Sequence, residues 1–243
     1  MLSLVCEQNS LLWQLFRQNP TRISASEAGS CLQVSEFKSR YSLVNEKRNR
    51  SLEERVFSPE RKWGSEAIRH GRKMESKAIE VARKLLDPHG IFVWKKPGLF
   101  VDRLFHTSCS PDALFFYGRV PGTEIEMHGL EVKNPYTRPI PKRICDITPD
   151  HLLQCFFSIH TCRADSWYLF YYREEPEVDY SLFQIYPHIY YWHDYCQPRI
   201  QECLDLINNP YAKVLKNKKK YSQWRYANEI IHKIDVQIIN LSP

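Results

Sequence analysis

The sequence predicts an α/β fold with a mixed central β-sheet flanked by helices. Of its 243 residues, 43% are hydrophobic and 13% are aromatic, which is enough for a substantial core. Helical patterns precede and follow a series of short aromatic or β-branched runs, and Pro, Gly and charged residues separate these runs. We expect this order of helix, antiparallel strands, helix and strand to form one structural domain.

The elements are predicted in chain order from their apolar spacing and end signals. A helix begins near residue 11 and stops at Asn19-Pro20, and Ser24-Ala25-Ser26-Glu27 is typical of a capped helix start. A long helix covers 66–86 and ends at Asp87-Pro88. Strands are predicted over 91–94, 99–101, 114–117, 127–133 and 167–172, and further helices over 148–161 and 189–208.

Charge is distributed unevenly along the chain. The net charge is +6, from 34 basic and 28 acidic residues, which suits a polyanionic partner without requiring one. Residues 36–62 mix both signs with few apolar residues, so they indicate either a solvated excursion or a nucleic-acid arm. We therefore divide the chain into an N-terminal helical segment with this excursion (1–62), a core (63–208) and a basic C-terminal tail (209–243). The lysines of 216–220 form either a solvated run or a phosphate contact.

Hydropathy and cysteine usage indicate the compartment. No run approaches the roughly 20 apolar residues of a membrane span, and Glu7 interrupts the first apolar residues before a secretory signal can form. We expect a soluble intracellular protein, cytoplasmic or nuclear, that is neither secreted nor bound to a membrane. The eight cysteines include no CxxC pair, which predicts reduced thiols. His193, Cys196 and Cys203 have helical spacing, and their aromatic neighbours favour a packed helix face over a metal site.

The residues that could bind a metal or take part in catalysis lie on two predicted strands. Glu131 and Lys133 alternate onto one face of a strand, whereas Leu130 and Val132 point into the core. Asp112 opens the preceding strand, and a hairpin over 118–122 would bring it to Glu131. Two converging carboxylates suit a hard cation such as Mg²⁺, and a lysine beside them can orient or deprotonate an attacking water. The alternative is an exposed hairpin with a cross-strand Glu and Lys.

Context separates this pair from three similar patterns. Glu60-Arg61-Lys62 lies in the charged stretch, Glu75-Ser76-Lys77 lies in a helix, and Pro149-Asp150 lies at a helix start. Glu75 also falls on the apolar stripe of its own helix, so it is predicted to point inward and to need a partner such as a metal ion. The alternative is that the edge of this stripe is solvated.

Four segments in order resemble the motifs of the PD-(D/E)XK nucleases, and among them the lambda exonuclease and YqaJ-like viral recombinase family. These segments are Gly71-Arg72-Lys73-Met74-Glu75, Ser110-Pro111-Asp112-Ala113, Leu130-Glu131-Val132-Lys133-Asn134-Pro135 and His151-Leu152-Leu153-Gln154. Upstream, Trp13, Arg17 and Arg22-Ile23-Ser24-Ala25-Ser26 resemble the family's tryptophan, arginine and Ile-Thr-Ala-Ser segment, with Ser24 in place of the usual Thr. The resemblance covers about residues 13–173 and implies a restriction-endonuclease-like core.

The resemblance also implies Mg²⁺-dependent hydrolysis of phosphodiester bonds in DNA, with Mn²⁺ as a substitute. It assigns Asp112, Glu131 and the Val132 carbonyl as metal ligands, Glu75 as a further acid at the metal, and Lys133 as the residue beside the water. It implies a 5′-to-3′ exonuclease that acts on double-stranded DNA ends and prepares single strands for recombination or repair. A single-strand annealing protein and a second copy of the chain are the partners left open.

By the same resemblance, a further set of polar residues approaches DNA phosphate: Arg17, Arg22, Ser24, Ser26 and Gln154. From the residues alone, the N–H groups of the helix at Ser24 and Ser26 suit a phosphate, or one serine simply caps that helix. Gln154 is otherwise a solvated glutamine, and Trp13 suits the core better than base stacking. Two other functions keep the same residues: a nicking or structure-selective endonuclease, and a nucleic-acid-binding module without catalysis. The intact Asp112, Glu131 and Lys133 argue against the binding module.

Overall fold

The computed structural model describes residues 2–4, 10–17, 19–49, 66–118, 124–214 and 234–239. The helices in these ranges are α1 (Leu11–Arg17), α2 (Ala28–Cys31), α3 (Arg40–Asn49), α4 (Glu66–Leu86), α5 (Pro149–Cys162), α6 (Ile189–Tyr191) and α7 (Gln197–Asn208). The strands are β1 (Leu2–Leu4), β2 (Ile23–Ser24), β3 (Val93–Lys95), β4 (Leu99–Asp102), β5 (Thr107–Cys109), β6 (Ala113–Tyr117), β7 (Glu126–Lys133), β8 (Ser166–Arg173), β9 (Asp179–Ile185) and β10 (Val236–Ile238). A π-helical turn, Trp192–Cys196, joins α6 to α7, and 3₁₀ turns cover Ala25–Glu27 and Ile144–Asp146.

The main sheet has six strands in the order β10-β9-β8-β7-β6-β3. Strands β7 and β8 are parallel and the other neighbours are antiparallel, so the predicted mixed sheet is confirmed. Helix α5 covers one face, where Leu153, Phe156 and Trp167 belong to the largest buried cluster. Helix α4 covers the other face and packs Ala78 and Ala82 against β7 and β8.

A second sheet of four strands, in the order β1-β4-β5-β2, packs beside α5. It ties the N-terminal segment to the centre of the chain, because β1 pairs with β4 and β2 pairs in parallel with β5. The predicted strand at 99–101 therefore belongs to this second sheet and not to the main one.

The helix predictions over 66–86, 148–161 and 189–208 are confirmed to within one residue at each end, and each of the five predicted strands is present. The predictions missed β1, β2, β5, β9 and β10. Strand β5 consists of the small residues Thr107, Ser108 and Cys109, which carry a weak local strand signal. It forms because it pairs on one side with the adjacent β4 and on the other side with the distant β2. Gly129 in β7 is required for packing, since a Cβ there would lie 2.3 Å from the indole of Trp167.

The prediction of a solvated excursion over 36–62 is wrong for its first part. Residues 40–49 form α3, which buries Leu43 and Val44 and packs against α7. Residues 50–65, including Glu60, lie outside the described residues, as do Cys6 and the lysines of 216–220. The division into 1–62, 63–208 and 209–243 therefore stays a prediction.

The π-helical turn and α7 bury Cys196 and Cys203, as the packed helix face predicted. Cys31 and Cys109 are also buried free thiols. None of the described helices has the length and apolar character that a membrane span needs.

Candidate active site

Strands β6 and β7 bring Asp112 and Glu131 together as the sequence predicted. The Asp112 N–H donates to the Leu130 carbonyl at 3.1 Å, and the Asp112 Oδ2 accepts the Val132 N–H at 2.7 Å. Both contacts hold Asp112 against the strand segment that carries Glu131. Val132 keeps its side chain in the core, where it is 7% exposed. The exposed-hairpin alternative is therefore wrong.

The buried Glu131 and the partly exposed Lys133 form an ion pair on the α5 side of β7. The Lys133 Nζ donates to the Glu131 Oε1 at 2.6 Å, and the Glu131 side chain is 6% exposed. Burial favours the neutral amine, but Glu131 and Asp112 outweigh it, so the pKa of Lys133 lies above its ordinary value. In this arrangement Lys133 is an ammonium that donates hydrogen bonds.

Gln154 on helix α5 forms hydrogen bonds with both members of this ion pair. The Gln154 Nε2 donates to the Glu131 Oε1 at 2.6 Å, and the Gln154 Oε1 accepts from the Lys133 Nζ at 3.0 Å. The solvated-glutamine alternative is therefore wrong. One turn earlier, the His151 Nδ1 lies 2.7 Å from the Tyr171 hydroxyl, and burial followed by the charge of Lys133 lowers the pKa of His151 well below its usual range.

Glu75 projects from α4 toward the same carboxylates and is half-buried, so the prediction that it points inward holds in part. Its pKa is raised, first by burial and then by the charge of Glu131. Burial and the charge of Glu131 also raise the pKa of Asp112 well above its ordinary value. These three carboxylates therefore repel one another in the absence of a cation.

This charge arrangement fits a hard divalent cation. A cation at Asp112 and Glu131 would offset both the burial of Asp112 and its repulsion by Glu131, the two effects that raise its pKa. Within the described ranges, no three His, Cys, Asp or Glu side chains form a complete metal-ligand set. Mg²⁺ keeps several waters and needs only one or two protein carboxylates, so two converging acids are sufficient.

In the similar patterns elsewhere, Lys77 and Asp150 make contacts away from this site. Lys77 pairs with Glu174, away from the carboxylates. The Asp150 Oδ2 accepts the Glu36 N–H at 3.2 Å, and its carboxylate packs closely on Gly29. The context that separated these patterns from Asp112 and Glu131 is therefore confirmed for both.

A second cluster joins the N-terminal segment to the strand that leads to Asp112. The Arg17 Nη2 donates to the Ser26 Oγ at 3.3 Å, and the Ser26 Oγ lies 3.1 Å from the Ser24 Oγ. The Arg17 guanidinium also stacks on Trp13, whose indole N–H donates to the Ser110 Oγ at 3.1 Å. Trp13 is 5% exposed, so its predicted core position is confirmed.

Arg22 and Ser110 lie next to this second cluster, and the predicted phosphate contact of Arg22 stays a prediction. Arg22 is half-buried, and burial, followed by the charge of Arg103 in the β4–β5 turn, lowers its pKa. The buried Arg22 Nη1 has no hydrogen-bond partner among the described residues. Ser110 was not predicted as a site residue, although it lies only two positions before Asp112 in the segment between β5 and β6. Its contact with Trp13 makes it part of the second cluster.

Comparisons with known proteins agree with this architecture. The family model of the YqaJ-like viral recombinase domain matches residues 12–164. The crystal structure of an alkaline exonuclease (LHK-Exo) from Laribacter hongkongensis matches with a TM-score of 0.54 and 13% identity, and covers 90% of this chain and 98% of that chain. The structure of LHK-Exo with dAMP matches with a TM-score of 0.54 and 15% identity, over 92% and 97% of the two chains. No curated protein sequence matches the chain.

The matched range exceeds half of the chain and contains Arg17, Asp112, Glu131, Lys133 and Gln154. At these identities the likeness to the two crystal structures shows a shared fold. That fold is the restriction-endonuclease-like one that the sequence motifs implied. The chain therefore belongs to the YqaJ-like viral recombinase family and has the fold of the PD-(D/E)XK nucleases.

Proposed function

We propose that the protein is a metal-dependent deoxyribonuclease that degrades linear duplex DNA from its ends. The observation that carries this proposal is the cluster of Asp112, Glu131 and Lys133 in a member of this family. The L. hongkongensis protein is named an alkaline exonuclease, and one of its structures contains the deoxynucleotide dAMP. These names support DNA as the substrate and the end as the point of attack.

The cation is Mg²⁺, with Mn²⁺ as a substitute, and Asp112 and Glu131 would hold it with the Val132 carbonyl and Glu75. When bound, it supplies a Lewis acid that polarises the scissile phosphate. Lys133 then orients the attacking water and offsets negative charge on the phosphoryl oxygens. We favour orientation over proton abstraction, since the raised pKa of Lys133 keeps its amine protonated beside the carboxylates.

The terminal 5′-phosphate binds at Arg17, Ser24 and Ser26, with Ser110 beside them. A guanidinium and several hydroxyls can together donate the hydrogen bonds that a phosphate monoester accepts. Ser110 lies within about 7 Å of Asp112 along the backbone, so a phosphate held here lies close to the carboxylates. This placement favours attack from the 5′ end and therefore 5′-to-3′ polarity.

The biological role that we propose is the production of single strands for recombination or repair. Family membership supports this role, and a single-strand annealing protein would be the partner that receives the product.

The test compares three DNA substrates of the same sequence in the presence of Mg²⁺. We expect a linear duplex with 5′-phosphates to be degraded much faster than one with 5′-hydroxyls, and a covalently closed circle to stay intact. Efficient cutting of the circle would show that the protein is an endonuclease that uses the same residues, and not an exonuclease. Binding without cleavage of any substrate would favour the non-catalytic module.

A further inference from the structure

Helix α3 carries a lysine that is buried against the segment between α1 and α2. The Lys47 side chain is 4% exposed, and its Nζ lies 3.0 Å from the Glu27 Oε2. The same Nζ donates to the Arg22 carbonyl at 2.9 Å. A buried ammonium is costly unless it is paired, so these contacts fix where Lys47 lies.

Glu27 links Lys47 to the phosphate cluster, the name used here for Arg17, Ser24 and Ser26. Its Oε2 also accepts the Ser24 N–H at 2.9 Å, which orders the turn that begins at Ser24. The Ser24 Oγ then lies 3.1 Å from the Ser26 Oγ, which accepts from Arg17. Burial opposes the ionisation of Glu27, but Lys47 and Ser24 outweigh it and lower the pKa of Glu27. Lys47 therefore reaches the phosphate cluster through one carboxylate.

Other residues hold α3 in place without Lys47. Arg48 donates to the carbonyl oxygens of Leu206, Asn209 and Ala212 at the end of α7. Arg40 donates from its Nε to the Cys31 carbonyl at 2.7 Å, at the end of α2. Because these contacts anchor both ends of the helix, loss of the Lys47 amine leaves α3 docked and releases only the Glu27 carboxylate.

We propose that Lys47 is a positioning residue for end recognition: through Glu27 it holds Ser24 and Ser26 in the arrangement that receives a 5′-phosphate. This inference rests on the proposed function, because it assumes that the cluster of Arg17, Ser24 and Ser26 binds that phosphate. The inference assigns a role to α3, which the charge pattern of the sequence had placed within a charged excursion.

The experiment uses Lys47→Met, which keeps the length of the side chain and removes its charge. The matched control is Arg48→Met on the same helix, which loosens the contact of α3 with α7 and leaves Glu27 untouched. Initial rates and KM are measured with Mg²⁺ on linear duplexes that carry 5′-phosphates or 5′-hydroxyls. We expect Lys47→Met to lower the preference for the phosphorylated end roughly tenfold, mainly by raising KM for that end. Its rate on the hydroxyl end stays within about twofold of wild type, and Arg48→Met keeps the wild-type preference.

A parallel fall of both rates in Lys47→Met, or an unchanged preference, would overturn the inference while leaving the nuclease assignment intact. Equal rates on both ends in the wild type would overturn the phosphate cluster itself, and this inference with it. If circular dichroism shows that Lys47→Met does not fold, Glu27→Ala is measured in its place, because it removes the carboxylate that joins Lys47 to the Ser24 N–H. The preference must fall in that variant too, and a wild-type preference would again overturn the inference.

Discussion

Replacing Gln154 with alanine tests how the ion pair at the centre of the site is held. The amide of Gln154 bonds both Glu131 and Lys133, so Gln154→Ala removes one contact from each charged group. Lys133 then keeps only Glu131 as a hydrogen-bond partner among the described residues. We expect its ammonium to sample other rotamers and to orient the attacking water less often.

The size of the effect follows from these contacts. Residues that orient the direct ligands of a metal typically contribute about 10–100-fold in metal affinity or activity. A tenfold change corresponds to about 1.4 kcal/mol, so we expect a loss of about 1.4–2.8 kcal/mol of transition-state stabilisation. This lies below the roughly 3–6 kcal/mol of two hydrogen bonds to charged groups, because water replaces part of a side chain that is not fully buried.

The assay is the single-turnover cleavage rate at saturating Mg²⁺, together with the Mg²⁺ concentration at half-maximal rate. Ser158→Ala is the matched control, because Ser158 lies one turn further along α5 and donates to the Gln154 backbone carbonyl. We expect the control to keep a rate within about twofold of wild type.

A wild-type rate in Gln154→Ala would show that the amide of Gln154 does not position Lys133 for catalysis. A loss that appears only as a higher KM for 5′-phosphorylated ends would instead support the phosphate contact that the sequence resemblance implied for Gln154. The structural account predicts that the chemical step slows with either kind of end.

Three further predictions concern stability and the ion. Without metal, Asp112 binds its proton more tightly when folded than when unfolded, so folding stability falls as the pH rises through its raised pKa. Asp112→Asn lacks this loss. The unfolding free energy of the variant relative to wild type, measured by urea titration in EDTA, should therefore rise as the pH increases from 4 to 8. A difference that stays constant with pH would contradict the pKa direction. Arg48→Met should cost about 2–4 kcal/mol of unfolding free energy, since Arg48 satisfies carbonyl groups at the end of α7, and a loss below about 0.5 kcal/mol would contradict this. Cleavage should require Mg²⁺ or Mn²⁺ and fail with Ca²⁺, whose coordination is longer and looser, and turnover in EDTA would end the metal mechanism.

The arrangement of Asp112, Glu131 and Lys133 could be predicted from the sequence because it depends on local rules of strand geometry. Glu131 and Lys133 share a face through strand alternation, and a short hairpin returns the chain to Asp112. The apolar stripe of α4 likewise predicted where this helix begins and ends, and that Glu75 is partly buried.

The contacts that support the site could not be predicted in this way, because they join distant parts of the chain. Gln154 meets Lys133 only when α5 packs on the main sheet, and Trp13 meets Ser110 across 97 positions of sequence. Helix α3 was not predicted because its composition is highly charged. Its Lys47 and Arg48 donate hydrogen bonds to carbonyl groups that are distant in sequence. Burial of such charges depends on tertiary partners, which composition does not reveal.

We propose that Asp112, Glu131 and Lys133 form the catalytic centre of a DNA-degrading enzyme. The most direct measurement is the release of deoxynucleotides from a 5′-phosphorylated linear duplex with Mg²⁺, by the wild type and by Lys133→Ala and Asp112→Asn. Asp150→Asn is the control, because its carboxylate packs on Gly29. We predict release by the wild type and the control, and less than about a tenth of that activity in the two site variants, with fold and DNA binding retained. A larger residual activity in either site variant, or an equal loss in the control, would contradict the account.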